Sequence, residues 1–165
     1  MIINNSLPIN DGFSMPAEFD RHRATILIWP VRPGSWTYNA KYAQQAFSFM
    51  ANELSKHETV YLLTNKRDFE GVKERFATNN NIKVLQIESD DSWARDTAPT
   101  FLKNDSGELR AVNWQFNAWG GSFDGLYDDY ENDNKLAGEF CRQINVNYYD
   151  ATPFVLEGGS IHSDG

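Results

Sequence analysis

The sequence predicts a mixed α/β fold, and three observations carry that prediction. Short apolar runs bounded by proline, glycine or polar clusters recur along the chain, as buried strands do. Between them lie stretches whose apolar residues return every three or four positions, as on one face of a helix. The two kinds of segment alternate β-α-β-α-β through the first half, the order of an α/β layered structure.

The elements follow in turn. Residues 24–30 (ATILIWP) form an apolar run closed by proline, hence a strand, and 33–36 (PGSW) a turn. Over residues 41–56, Ala43, Phe47, Met50 and Leu54 recur at helical spacing. Residues 59–63 (TVYLL) read as a strand, and Phe69, Val72 and Phe76 mark a second helix that stops at the asparagine cluster 79–81. Residues 82–87 (IKVLQI) alternate cleanly and form a strand. Further on, NDSG (104–107) reads as a hairpin turn. In the strand that follows, Val112, Trp114 and Phe116 fall on one face and Asn113, Gln115 and Asn117 on the other. A long Gly- and Asp-rich loop precedes a third helix carrying Leu136, Phe140 and Ile144. Two short strands, near 146–149 and 154–156, come last. No linker or low-complexity tract divides the chain, so 1–165 reads as one domain, long enough to bury roughly 70% of its unfolded surface.

Composition excludes several function classes. Asp and Glu outnumber Lys and Arg 23 to 15, a net charge of -8, which disfavours nucleic acid and anionic membranes and suits a small cation. The single cysteine, Cys141, permits no internal disulfide and fits a reducing compartment. The N-terminal residues lack the basic and apolar regions of a signal peptide, and no apolar run reaches membrane-spanning length. A cytoplasmic protein is the expectation.

The most informative stretch is DDSWARDTAPTF (90–101). It sets Trp93 and Asp96 close together, and Pro99 argues against a helix there. A guanidinium is planar, permanently charged and rich in N–H donors. A carboxylate receives it through paired hydrogen bonds, and an aromatic face stacks on its plane. Trp93 and Asp96 offer both. From spacing alone, the plainer reading is that Asp96 pairs with Arg95 or caps a turn and that Trp93 belongs to the core. Glu157 follows the apolar FVL and precedes two glycines that let a ligand approach the backbone. It reads either as a site carboxylate or as an exposed strand-end acid.

Other features offer less. The acids Asp124, Asp128, Asp129, Glu131 and Asp133 fail the calcium-loop pattern, because Asn134 replaces its glycine and Phe140 its bidentate glutamate. They read as a solvated face, with a looser metal site the alternative. His22, His57 and His162 lack zinc-ligand spacing. Cys141, inside the third helix, reads as a structural thiol. No nucleotide-binding glycine loop or serine-hydrolase elbow is present, and no metal or cofactor is implied.

Five motifs carry a resemblance. MPAEFDRH (15–22), WPVRPGSW (29–36), DDSWARDTAPTF (90–101), NWQFNAWGG (113–121) and FVLEGGSIHSDG (154–165) resemble, in order and spacing, the agmatine deiminases of the porphyromonas-type peptidylarginine deiminase group. The resemblance implies the pentein fold, a five-bladed α/β propeller, and hydrolysis of agmatine to N-carbamoylputrescine and ammonia, a step toward putrescine. It implies Asp96 and Glu157 as catalytic carboxylates that bind the guanidinium, and Trp93 as a substrate-lining residue. Ala94 and Ala98 stand where the family usually has Met and Gly. The family's Gly-His-x-Asp and late cysteine motifs are absent from these residues. The expectation is therefore an incomplete N-terminal part of the domain, about two blades with unpaired edges, inactive alone and completed by a missing C-terminal half or by self-association. Two alternatives stand: a non-catalytic remnant or guanidino-binding module, and another guanidine-modifying pentein such as a peptidylarginine deiminase.

Overall fold

The computed structural model describes all 165 residues, 1–165. Along the chain lie β1 (Ile2–Ile3), β2 (Ala24–Ile28), α1 (Lys41–Leu54), β3 (Thr59–Thr64), α2 (Phe69–Arg75), β4 (Ile82–Gln86), α3 (Ala94–Thr97), β5 (Thr100–Lys103), β6 (Leu109–Gln115), α4 (Gly121–Asp124), α5 (Glu131–Gln143) and β7 (Asn147–Val155). The fold is mixed α/β. It divides into two compact units: a continuous one, Arg21–Ala94, and a split one, Met1–Asp20 with Arg95–Gly165. No helix is long and apolar enough to cross a membrane.

The continuous unit is a parallel sheet in the order β2-β3-β4, with α1 and α2 as the crossovers. Parallel strands need such crossovers, which explains the alternation in the sequence. β3 is central and carries the fully buried Val60, Leu62 and Leu63. Ala51 of α1, Val72 and Phe76 of the α2 segment, Ile82 and Trp29 close the core around Val60 and Leu62. Each large side chain buried here stabilises the unit by roughly 1.5–3 kcal/mol. The predicted stripe of α1 needs one correction. Phe47 and Leu54 face the core with Ala51, whereas Met50 is 38% exposed, because it lies off the line those three define.

The split unit is a sheet in the order β1-β7-β6-β5. β5 and β6 form an antiparallel hairpin, while β6, β7 and β1 run parallel. α5 buries Leu136, Ala137, Phe140 and Cys141, and the Phe140 ring meets Phe101 of β5 edge-on at 6.4 Å. Three expectations are corrected. The C-terminal strands are one strand, β7: its first half pairs with residues 110–113, and Val155 rejoins at Gln115. Pro153 falls in the unpaired gap between them, where no ladder donor is needed. The stretch before Pro99 closes one α turn, α3, since proline restricts chiefly the residue directly before it, here Ala98. Asp133 lies on no solvated face: it is buried and accepts the Tyr127 hydroxyl at 2.6 Å. No group of three or more His, Cys, Asp or Glu could hold a metal.

The N-terminal segment is tied to this sheet by charge as well as by β1. Asp11 accepts hydrogen bonds from Ser6 at 2.6 Å, Tyr149 at 2.8 Å and Arg110 at 2.6 Å, and the Arg110 guanidinium lies 4.2 Å from the Phe13 ring centroid. The Ser6 hydroxyl first, then Tyr149 and Arg110, hold the Asp11 carboxyl below its ordinary value. A carboxyl depressed in the folded state adds stability above its unfolded pKa and loses it as pH falls through the folded one. The thermal midpoint of the chain is therefore expected to fall between about pH 5 and pH 2, and Asp11→Asn to flatten part of that slope. Superimposable pH profiles for the two proteins would exclude the Asp11 anchor.

Candidate functional site

Strand polarity decides where loops can gather. In a parallel sheet the loops leaving the C-terminal ends share one edge, the usual ligand edge of α/β proteins. In the split unit, Glu157 follows β7, the segment 117–121 follows β6, and Asp96 precedes the antiparallel β5, so all three belong to one edge. In the continuous unit, Ser35 and Trp36 follow β2, and Asp91 and Trp93 follow β4, again at one edge.

Asp96 and Arg95 together clasp the loop after β7. The Gly158 amide donates to Asp96 Oδ1 at 2.9 Å, and Arg95 Nε donates to the Gly158 carbonyl at 2.9 Å. Arg95 Nη2 also donates to the Ile161 carbonyl at 2.9 Å and to Glu18 Oε1 at 2.8 Å, and Arg95 holds the Glu18 carboxyl below its ordinary value. The alternative of an Arg95–Asp96 pair gives way to this arrangement, since Arg95 turns to Glu18 and to backbone carbonyls. Residues from MPAEFDRH, DDSWARD and EGGSIHSDG thus meet at Arg95. Gly158 is required there: a Cβ would stand 2.3 Å from the Arg95 carbonyl oxygen, inside contact distance of backbone. Asp96 keeps Oδ2 clear of that bond, while Glu157, exposed on the same loop, engages Ser160 only through its carbonyl.

Trp93 belongs to the continuous unit. It is 37% exposed, and its Nε1 donates to Asp91 Oδ2 at 2.9 Å. Asp91 carries no distinguishing mark in the sequence beside Asp90. It is in fact fully buried, and also accepts from Ser35 Oγ, from Trp36 Nε1 at 3.2 Å and from the Ser92 amide at 2.8 Å. The missed signal was topological: the PGSW and DDSW tryptophans leave parallel strands at one edge.

The remaining candidates settle as follows. Ala118 and Trp119 hold left-handed φ values of 52° and 63°, uncommon for side-chain-bearing residues, in the loop after β6. Trp119 packs edge-on against Phe116 and Tyr127. His162 is exposed and faces Glu18 at 3.8 Å rather than Glu157. Cys141 is fully buried, and burial pushes its thiol up to about 12, the opposite of an activated nucleophile. An open cleft of about 490 Å³ lies at the other end of the β2–β3 sheet, lined by Arg21, Arg23, Lys56 and His57, a poor seat for a guanidinium.

These features define a class: an α/β protein whose split unit carries the carboxylates Asp96 and Glu157 at its strand ends and whose continuous unit carries the Trp93 indole at its own. Residues 14–165 match the Porphyromonas-type peptidyl-arginine deiminase family, and the chain belongs to that family. Proteins provisionally named agmatine deiminases are similar to it: one from Selenomonas ruminantium at 47% identity over all of this chain and 45% of its own length, and one from Mycoplasma capricolum at 45% over 98% and 43%. The agmatine deiminase of Enterococcus faecalis superposes with a TM-score of 0.93 at 39% identity, over 99% of this chain and 44% of that one. The X-ray structure of another provisionally named agmatine deiminase gives a TM-score of 0.94 at 44% identity, over 99% and 46%. The chain thus spans less than half the length of these relatives.

Three outcomes test the site's construction. Gly158→Ala should cost roughly 1–3 kcal/mol in urea unfolding. Gly159→Ala, whose Cβ meets nothing within 4 Å, should stay within about 0.5 kcal/mol. Cys141 should resist a thiol reagent at about pH 8 in the native chain and react fully in denaturant.

Proposed function

We propose that this chain supplies the guanidinium-binding part of an agmatine deiminase, which hydrolyses agmatine to N-carbamoylputrescine and ammonia in cytoplasmic putrescine synthesis. The observation that carries the proposal is Asp96: one carboxylate oxygen is locked to the Gly158 amide and the other is left for a ligand. An anchored carboxylate loses little freedom on binding, and a guanidinium N–H donor recovers a charge-assisted hydrogen bond. Glu157, next to Gly158, is the second carboxylate, and Trp93 is the stacking wall. The acidic balance of the chain favours the cation's approach.

In this reading the reaction is nucleophilic catalysis. A thiolate adds to the guanidinium carbon, ammonia leaves, and water hydrolyses the covalent adduct with general acid/base help. Asp96 and Glu157 hold the guanidinium nitrogens so that the carbon meets the nucleophile at the right angle. Buried and protonated, Cys141 is no candidate for that nucleophile. The thiolate and its base therefore come from outside these residues, in a completed five-bladed propeller of which this chain forms about two blades. The family's description favours a second reading, in which peptidyl-arginine rather than agmatine is the ligand.

Calorimetry separates these readings. The chain should bind agmatine weakly, more tightly than an N-acylated arginine amide, and Asp96→Ala should weaken binding about 10-fold or more, as for loss of a charged hydrogen bond. Ammonia release from agmatine by the 165-residue chain alone should stay at background. Tighter binding of the arginine amide would favour the peptidyl reading, and turnover at an enzymatic rate would refute the assignment of the nucleophile.

A further inference from the structure

A buried carboxylate that touches two indole N–H groups has a narrow set of roles. Asp91 is fully buried and an acceptor only, and four donors engage it. Oδ1 takes Trp36 Nε1 and the Ser92 amide, while Oδ2 takes Trp93 Nε1 and Ser35 Oγ. Each donor is itself placed by the fold. The Ser35 and Trp36 amides both donate to the Arg32 carbonyl in the turn after β2. The Trp36 ring packs edge-on against Phe47 of α1, with centroids 6.0 Å apart. Asp91 thus transfers the rigidity of α1 and of the β2 turn to a residue on the loop after β4. Of the two indoles, Trp93 is the one with more than a third of its surface open to solvent.

We infer that Asp91 is a positioning residue: it fixes the plane of the Trp93 ring so that an exposed face stands ready for a planar cation. The inference rests on the reading of Trp93 as a guanidinium wall. An indole anchored at its N–H cannot swing about its side-chain bonds, so stacking a ligand on it costs little further rotamer freedom. A neutral acceptor cannot replace the carboxylate. Asparagine in its place keeps one oxygen and presents an NH₂ where the other stood, so one pair of donors faces a donor.

The first test needs no substitution. With ¹⁵N-tryptophan labelling, the chain shows five indole N–H signals, and Trp93→Phe identifies one of them. The Trp93 indole proton should exchange with solvent at least 10-fold more slowly than a free indole, despite the exposure of its ring. An exchange rate equal to that of free indole overturns the inference. Asp91→Asn should remove that protection or the protection of Trp36, and unchanged protection of both overturns it as well. The second test is a double-mutant cycle on agmatine binding. Asp91→Asn should weaken binding about 10-fold in the unaltered chain and by less than 2-fold in a Trp93→Leu background, since Asp91 acts through that ring. Equal losses in both backgrounds exclude action through Trp93. If the unaltered chain binds no agmatine, the guanidinium reading falls and takes the ligand role of Asp91 with it. The exchange rates still report separately whether the anchor exists.

Discussion

The backbone of Gly158 is the point on which the split unit turns. Its N–H is taken by Asp96 and its carbonyl by Arg95, two consecutive residues of α3. With the peptide on each side of its Cα held by a hydrogen bond, Gly158 cannot rotate freely, so the loop after β7 is fixed relative to the start of β5. The grip needs the backbones closer than a side chain allows, hence the glycine. Arg95 then reaches Glu18, and the Glu18 amide donates to the Ser163 carbonyl at 3.1 Å, so residues distant in sequence are held as one rim.

Three carboxylates show how environment separates roles within one residue type. Asp91 is buried, and N–H and O–H donors surround it, which is the condition for keeping a charge out of water. Its bonding is spent inside the protein, and what it offers a ligand is the orientation of an indole. Asp96 spends one oxygen on the backbone and keeps the other. Glu157 is exposed and commits no side-chain atom. Anchoring therefore falls from Asp91 through Asp96 to Glu157, and availability to a ligand rises in the same order.

The strained segment after β6 belongs to the same picture. Two successive residues with side chains, Ala118 and Trp119, take left-handed conformations, and the next turn leaves no room for a Cβ on Gly120, which would meet the Asp124 carbonyl carbon at 2.6 Å. The aromatic cluster of Phe116, Trp119, Tyr127 and Tyr130 holds this turn in place. Such strain persists only where packing over-determines it, and it lies at the strand edge that also carries Asp96 and Glu157.

The sequence by itself determined the alternation of strands and helices, since period and apolar content decide which segments can bury a face. Residue chemistry offered Trp93, Asp96 and Glu157 only as candidates, which the resemblance of their motifs singled out, whereas the inert character of Cys141 follows from its mid-helix neighbours. The sequence could not reveal that the last two strands are one. Pro153 sits where the ladder has no bond to lose, and only the partner strand shows that. Nor could it distinguish Asp91 from Asp90, or Asp133 from the acids around it. Burial and donor geometry separate them, and both depend on residues tens of positions away. Tertiary structure decided which carboxylates became scaffold and which stayed open, because a carboxylate's role is set by the donors that the fold brings to it.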